Sequence, residues 1–411
     1  MHICDSEHGI DVKLTDQQVW NDPYPLYARL RESAPLVRCR EPFGGEAWLL
    51  SRYDDVAEVL KDTERFKNDR GNMTGESRPY DRVYVPKIFK AFARSMIFVD
   101  GLDHQRLRNL AMRAFTTARV NSLQSRIEGI AQELLNDVAG RKEFDLMADF
   151  ALPLPLRIIS EMLGVSSDER KSFHATLQRV MTVSSAWHIV LSAPTLYNLY
   201  RFFKRLLDRK RSEPGDDLTS ALIEAEEEGD RLTPEELMGT VFLLLFAGHE
   251  TTVNLIGNGT LALLENPDEM ARLRANPALL TDAVEEMLRY YSPAHTTQRR
   301  HVVQSCSIGS LDLKQGDVLA PLVGAANRDE RAFENAEKFD VGRTPNKHLA
   351  FGAGPHFCIG AHLSRLEGRI AFGALLDRFT NFRLAIDRGE LRWRSGIGAL
   401  RGLEALPIVV D

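Results

Sequence analysis

The sequence predicts a mainly α-helical protein with small β-sheets, on three observations. Apolar residues recur at helical spacing along most of the chain, punctuated by Pro and Gly. One run, Pro234 to Glu265, is far longer than an ordinary helix and carries both start and stop signals. Only short stretches read as strand: Glu46 to Ser51, Gln315 to Val323 and Ala405 to Val410.

The long run begins with Thr233 as cap, Pro234 at the first helical position and Glu236 to close a capping box. Asn266-Pro267 stops it. At the usual rise per residue it spans about 48 Å, enough to cross the whole protein. Val241 to Phe246 is apolar on every side, so the helix is expected to be buried on all faces and to carry a site. Earlier, Lys67 to Pro86 is rich in Gly, Asn, Asp, Arg and Pro, which predicts a long loop. The 21 residues Val180 to Tyr200 contain no Asp, Glu, Lys or Arg. They read either as two core helices joined near Pro194 or as an apolar lid over a pocket.

The 411 residues are 44% hydrophobic and 27% charged, an ordinary globular composition. No linker, repeat or low-complexity segment divides them, so residues 1–411 are read as a single domain. A net charge of −6 argues against a nucleic-acid binder, because counterion release needs a basic surface. Cys4, Cys39, Cys306 and Cys358 are widely and irregularly spaced, with no C-x-x-C pair and too few for a disulfide framework. Met1 to Lys13 lacks the features of a signal peptide, and no stretch of about 18 uninterrupted apolar residues exists. A soluble, cytoplasmic protein without a membrane span is the expectation.

Phe351-Gly-Ala-Gly-Pro-His-Phe-Cys-Ile-Gly360 is the most informative stretch. Its glycines imply a backbone that turns tightly or approaches something closely. Helical periodicity resumes after it, which puts Cys358 where a loop enters a helix and where N–H groups and the helix dipole favour a thiolate. Three roles compete. A nucleophilic cysteine would need a base, and His356 is too near in sequence for a good dyad. A structural cysteine leaves the glycines unexplained. A thiolate on haem iron explains both, since the loop could then lie flat against the porphyrin.

The pattern F-G-x-G-x-H-x-C-x-G resembles the haem-binding signature of the cytochrome P450 family. The resemblance implies that family's fold, with haem b (iron protoporphyrin IX) between the long helix and the cysteine loop. Cys358 is then the axial ligand, within a loop shaped by Phe351, Gly352 and Gly360. Ala247-Gly-His-Glu-Thr-Thr252 resembles the family's oxygen-activation motif. Ala247 and Gly248 would keep side chains clear of the cofactor and a diatomic ligand. The Thr251 hydroxyl can bond back to the Ala247 carbonyl and loosen the helix, and Glu250 can relay protons to water admitted there. Glu286 and Arg289, three apart on one helical face, resemble the family's structural pair, with Arg343 as third member. His104, Arg108, Arg299 and His356 stand where the resemblance places contacts to the haem propionates.

By the same resemblance the protein is a monooxygenase, an oxidoreductase that puts one atom of O2 into a C–H or C=C bond of a hydrophobic small molecule. Its electrons would come from a separate ferredoxin or flavodoxin with its reductase, docked on a basic patch of Arg106, Arg113, Arg365 and Arg369. A monomer is expected. Phe89, Phe92, Met96, Ile97, Pro293, Ala294, Ile397 and Ala399 are the candidate pocket residues. Fatty acids, terpenoids, steroids and macrolide-like secondary metabolites all remain open as substrates. Two other functions compete: a peroxide-driven peroxygenase and a catalytically idle haem module. The intact Glu250–Thr251 pair argues against both.

Overall fold

The computed structural model describes residues 4–6, 9–11, 17–33, 36–40, 46–69, 87–170, 173, 193–227, 232–394 and 400–411. The helices that position the site are α1 (Tyr24–Ser33), α2 (Lys87–Ala93), α3 (Gly101–Ala114), α4 (Gln124–Asp137), α5 (Pro153–Met162), α6 (Ala193–Ser212), α7 (Pro234–Glu265), α8 (Leu280–Tyr290) and α9 (Ala361–Arg378). The architecture is helical with small sheets, as predicted.

Helix α7 begins where its sequence says it must. The Thr233 hydroxyl accepts the Glu236 backbone N–H at 3.2 Å, and the Glu236 carboxylate accepts the Thr233 N–H at 2.8 Å. Leu237 to Leu245 and Thr252 to Leu263 are buried, because α2, α5, α8 and α9 pack around the helix. Glycines permit the closest approaches: a Cβ at Gly239 would collide with the Ala91 carbonyl of α2, one at Gly257 with the Met147 sulfur, and one at Gly259 with the Phe372 ring of α9. Among the described residues α7 alone is long and apolar enough to cross a membrane, but 78% of its most apolar window is buried inside the fold. It is a core helix.

The strands of the two larger sheets are β1 (Leu36–Arg40), β2 (Glu46–Leu50), β3 (Phe66–Lys67), β4 (Glu143–Asp145), β5 (Arg300–Val302), β6 (Val318–Pro321), β7 (Phe382–Leu384) and β8 (Pro407–Val410). One sheet has the order β1-β2-β6-β5-β3, with β2 and β6 parallel in the register Trp48↔Leu319. A second has the order β7-β8-β4. The strand expected over Gln315 to Val323 is shorter at both ends. Gly316, at φ +98°, makes a turn before it, and Val323 already begins a short helix. Pro194 lies in the first turn of α6, and the residues just before that helix fall outside the described residues. The lid reading of Val180 to Ser192, and the expected loop from Arg70 to Pro86, fall outside the described residues.

Glu286 and Arg289 of α8 are fully buried and paired through two hydrogen bonds of 2.7 and 2.8 Å. The Arg343 Nε donates to the same carboxylate at 3.1 Å, as do the Asp340 backbone N–H at 2.9 Å and the Asn346 side chain at 3.1 Å. Arg289 uses its remaining N–H groups on the carbonyls of Asn327, Ala336 and Lys338. The trio therefore ties α8 to the long connection that leads into the cysteine loop. Glu286→Ala should lower the unfolding free energy by about 3–5 kcal/mol, because it leaves a buried guanidinium without its anion. Urea unfolding of the variant measures this, and a loss within error of zero would remove the anchor from the argument.

Candidate active site

The cysteine loop is built from backbone hydrogen bonds that only its glycines allow. Gly352 and Gly354 take φ values of +71° and +69°. The Cys358 N–H donates to the Phe351 carbonyl at 2.9 Å, closing the loop, and the Ser364 N–H on Gly360 at 2.9 Å starts α9. Cys358 is exposed on one side of this turn. Burial by the surrounding chain still pushes its thiol above the ordinary value. The N–H groups of Gly360 and Ala361 and the charges of Arg108 and Arg365 pull it down by less. These N–H groups and charges act as the sequence suggested, in favour of the thiolate and against desolvation.

Above the loop, His104 of α3 and His356 face each other with ring centroids 4.0 Å apart. His356 Nε2 lies 2.9 Å from Asn68 Nδ2 and 3.5 Å from Asp100 Oδ1. Burial, His356 and Arg108 hold His104 down at about 4, and Arg300 adds to this. Arg300 was missed by sequence reasoning, which named its neighbour Arg299. Strand β5 begins at Arg300, which is buried, whereas Arg299 just before it is half-buried. Arg300 is buried, its Nη1 has no hydrogen-bond partner, and its charge bears on both histidines. A twin arginine at a strand start was the available signal. The result is an electropositive cradle with an orphaned donor, which fits an anionic group such as a haem propionate.

Across from the loop, the Thr251 hydroxyl donates to the Ala247 carbonyl at 2.8 Å, the local bond expected. The reason given for Gly248 is corrected. A Cβ there would meet the Ile159 side chain of α5 at 3.0 Å, so this glycine serves helix packing. Glu250 is not free: Arg394 Nη1 donates to its Oε1 at 2.5 Å. His249, fully buried, places Nδ1 2.7 Å from the Leu245 carbonyl.

The family model for cytochrome P450 matches residues 43–384. The chain belongs to the cytochrome P450 family. It is 43% identical over 399 residues to cytochrome P450 107B1 of Saccharopolyspora erythraea, covering 97% of each chain. It is 37% identical over 393 residues to 6-deoxyerythronolide B hydroxylase of the same organism, covering 95% of this chain and 96% of the relative. The solved structure of the bacillaene polyketide synthase cytochrome P450 PksS from Bacillus subtilis superposes with a TM-score of 0.90 at 37% identity, over 97% of this chain and 100% of that one. The protein is therefore a P450 oxidoreductase of the monooxygenase type, and haem b is the cofactor expected of a haem-thiolate family.

In this P450 the expected pocket residue Phe92 belongs to an aromatic cluster. Phe92 packs edge-on against Phe98 at 5.1 Å and Phe242 at 5.0 Å, and Phe242 stacks on Phe246 at 6.0 Å. The Phe242–Phe246 pair, four apart on α7, is part of the core. Met96 is buried and Ile97 half-buried. Pro293 and Ala294 pair through their backbones with a C-terminal strap: the Arg401 N–H donates to the Pro293 carbonyl at 2.9 Å, and Ala294 pairs with Leu400. The Phe89 side chain, Ile397 and Ala399 lie outside the described residues. The basic patch is also corrected in part. Arg106 is paired with Glu236 at 2.5 Å and Arg365 with Glu285 at 2.7 Å, which offsets two of its four charges. Arg113 is exposed and Arg369 half-buried.

One carboxylate escaped sequence reasoning altogether. Glu367 of α9 is fully buried, neither oxygen finds a well-formed partner, and burial, partly offset by the Thr252 hydroxyl, pushes it up to about 8. The folded protein therefore holds a proton there that the unfolded chain releases near pH 4.3. From about pH 4.3 to 8 this group makes stability fall as pH rises, by at most about 1.4 kcal/mol per unit. Glu367→Gln should remove that slope in urea unfolding between pH 5 and 8.5, and parallel curves for the two proteins would contradict the assignment. Arg300→Leu should weaken haem retention by about tenfold or more, the worth of one charge-assisted bond, and Arg299→Leu much less. Haem transfer to apomyoglobin reports both, and the reverse order would restore Arg299.

Proposed function

We propose that this P450, a single domain acting in the cytoplasm as a monomer, inserts one atom of O2 into a C–H or C=C bond of a hydrophobic small molecule. The observation that carries the proposal is Cys358, exposed at the end of a glycine-shaped turn, with the electropositive cradle of His104, Arg108, Arg300 and His356 beside it. Cys358 would hold the haem iron and the cradle its propionates. Bound haem supplies the centre at which O2 is activated, with thiolate electron donation favouring O–O cleavage.

The chain's own residues do the rest. The reaction consumes O2, two electrons and two protons, and releases one water. Thr251, held on the Ala247 carbonyl, presents a hydroxyl in the middle of α7, and Glu250 beside it is the acid that renews its proton. Phe92, Phe242 and Phe246 offer an apolar surface that excludes water and suits a large apolar substrate. Similarity to 6-deoxyerythronolide B hydroxylase and to PksS supports a polyketide-like secondary metabolite ahead of a fatty acid, terpenoid or steroid. Electrons come from a separate ferredoxin or flavodoxin. Exposed Leu102, Met112 and Phe357 lie on α3 and the cysteine loop with Arg113, so docking there combines apolar contact with a reduced basic patch.

The ferrous, carbon monoxide-bound protein should show the red-shifted absorption of thiolate ligation, and Cys358→Ala should lose both the band and turnover. NAD(P)H with a ferredoxin system should support product formation well above peroxide alone. Absence of the band sinks the haem-thiolate reading, and turnover by peroxide alone turns it into a peroxygenase.

A further inference from the structure

Beside the strap that pairs with Pro293 and Ala294, aromatic rings surround two fully buried bases, His295 and Arg401. The Trp20, Tyr24 and Tyr27 rings lie 5.9, 5.9 and 5.7 Å from the imidazole. The Arg401 guanidinium sits over Trp393 at 3.2 Å, and the Tyr24 and Tyr291 rings are 5.7 and 5.8 Å from it. Its Nε and Nη2 donate to the Trp20 and Asn21 carbonyls, both at 2.9 Å.

Three polar atoms of this cage are buried and find no partner among the described residues: the Tyr24 hydroxyl, His295 Nε2 and Arg401 Nη1. Each can donate. The Tyr27 hydroxyl lies 2.9 Å from His295 Nδ1, and burial with Arg401 and Arg328 keeps the imidazole neutral. A phenol is the better donor and an imidazole nitrogen the better acceptor, so Tyr27 donates to Nδ1 and the ring proton sits on Nε2.

The cage is also short of negative charge. No carboxylate pairs with Arg401 among the described residues, and Asp22, which is exposed, acts on it only weakly. Arg328, buried and 4.3 Å from the Tyr24 ring, shares the half-exposed Glu337 with Arg31. Asp329 is taken by Arg331 and the Tyr53 N–H. A water accepts two hydrogen bonds, which leaves one donor and the buried charge unanswered. An anion answers both. Tyr24 and Tyr291 also line a surface cavity of about 730 Å³ with Arg31, Arg328 and Arg388, which offers a basic route inward.

The structure assigns to Tyr24, His295 and Arg401 a binding site for a small monovalent anion of the halide class, chloride above all. Its occupant ties the start of α1 to the strap. Arg401 is thereby fixed where its N–H holds the Pro293 carbonyl, next to the candidate pocket residue Ala294.

The test uses the haem-loaded protein, with bromide as the probe in crystals and chloride in solution. Bromide-soaked crystals should show an anomalous peak within hydrogen-bond reach of all three donors. In urea unfolding at constant ionic strength, gluconate is replaced stepwise by chloride. The unfolding constant should then fall about tenfold for each tenfold rise in chloride beyond half-saturation. Tyr24→Phe keeps the ring and removes one donor, so it should weaken chloride binding by about tenfold or more. Tyr53→Phe, which removes a hydroxyl bonded to the Lys347 carbonyl, should leave the chloride response intact. A water in place of the bromide peak overturns the site, as does stability that ignores the exchange of gluconate for chloride. Bromide bound in crystals without a chloride response in solution is an adventitious ion only, and a Tyr24→Phe response equal to the parent's is a general salt effect; either result removes the assignment.

Discussion

A helix of 32 residues buried on most faces has little solvent to answer its polar side chains, so its own carbonyls or another element answer most of them. That constraint organises this P450. Thr251 and His249 turn to carbonyls four residues back, at Ala247 and Leu245. Asn258 and Glu250 are met by the C-terminal strap through the Arg401 carbonyl and the Arg394 guanidinium. Thr252 faces α9, with Ser364 at 3.4 Å and Glu367 beside it. The region proposed as catalytic is where the long apolar helix is tied to its neighbours through polar side chains.

The cysteine side is governed by a contest between desolvation and local charge. Backbone N–H groups and two arginines favour the Cys358 thiolate, and desolvation opposes them. His104 tells the same story from the other sign, depressed by burial and by its cationic neighbours. A site that is costly for each of its groups alone, an unpaired donor at Arg300 included, becomes favourable once a metal and an anion neutralise both halves together. Such mutual frustration is a physical signature of a binding site for a charged cofactor.

The parts legible in the sequence were those set by local chemistry. Thr233, Pro234, Glu236 and Asn266 bounded α7 to the residue, because capping and proline geometry act within one turn. The Glu286–Arg289 pairing followed from helical spacing, and the cysteine turn from its glycines. Misreadings arose where a residue's meaning depended on what lay opposite. Gly248 looked like clearance for a ligand until Ile159 occupied that side. Arg299 and Arg300 are neighbours of the same chemistry, and folding buries only Arg300. The patch arginines looked alike until Glu236 and Glu285 paired with two of them.

By itself the sequence determined the helical class, the long central helix, the cysteine loop and the family, since each is encoded in short-range patterns that survive without a partner. Tertiary structure alone decided which carboxylate is buried and neutral, which arginine faces the cradle, and that Glu250 is held from a strap 144 residues away. The reason is dielectric and distance. A charge's behaviour depends on the solvent it loses and the partners that come within a few ångströms, and folding sets both.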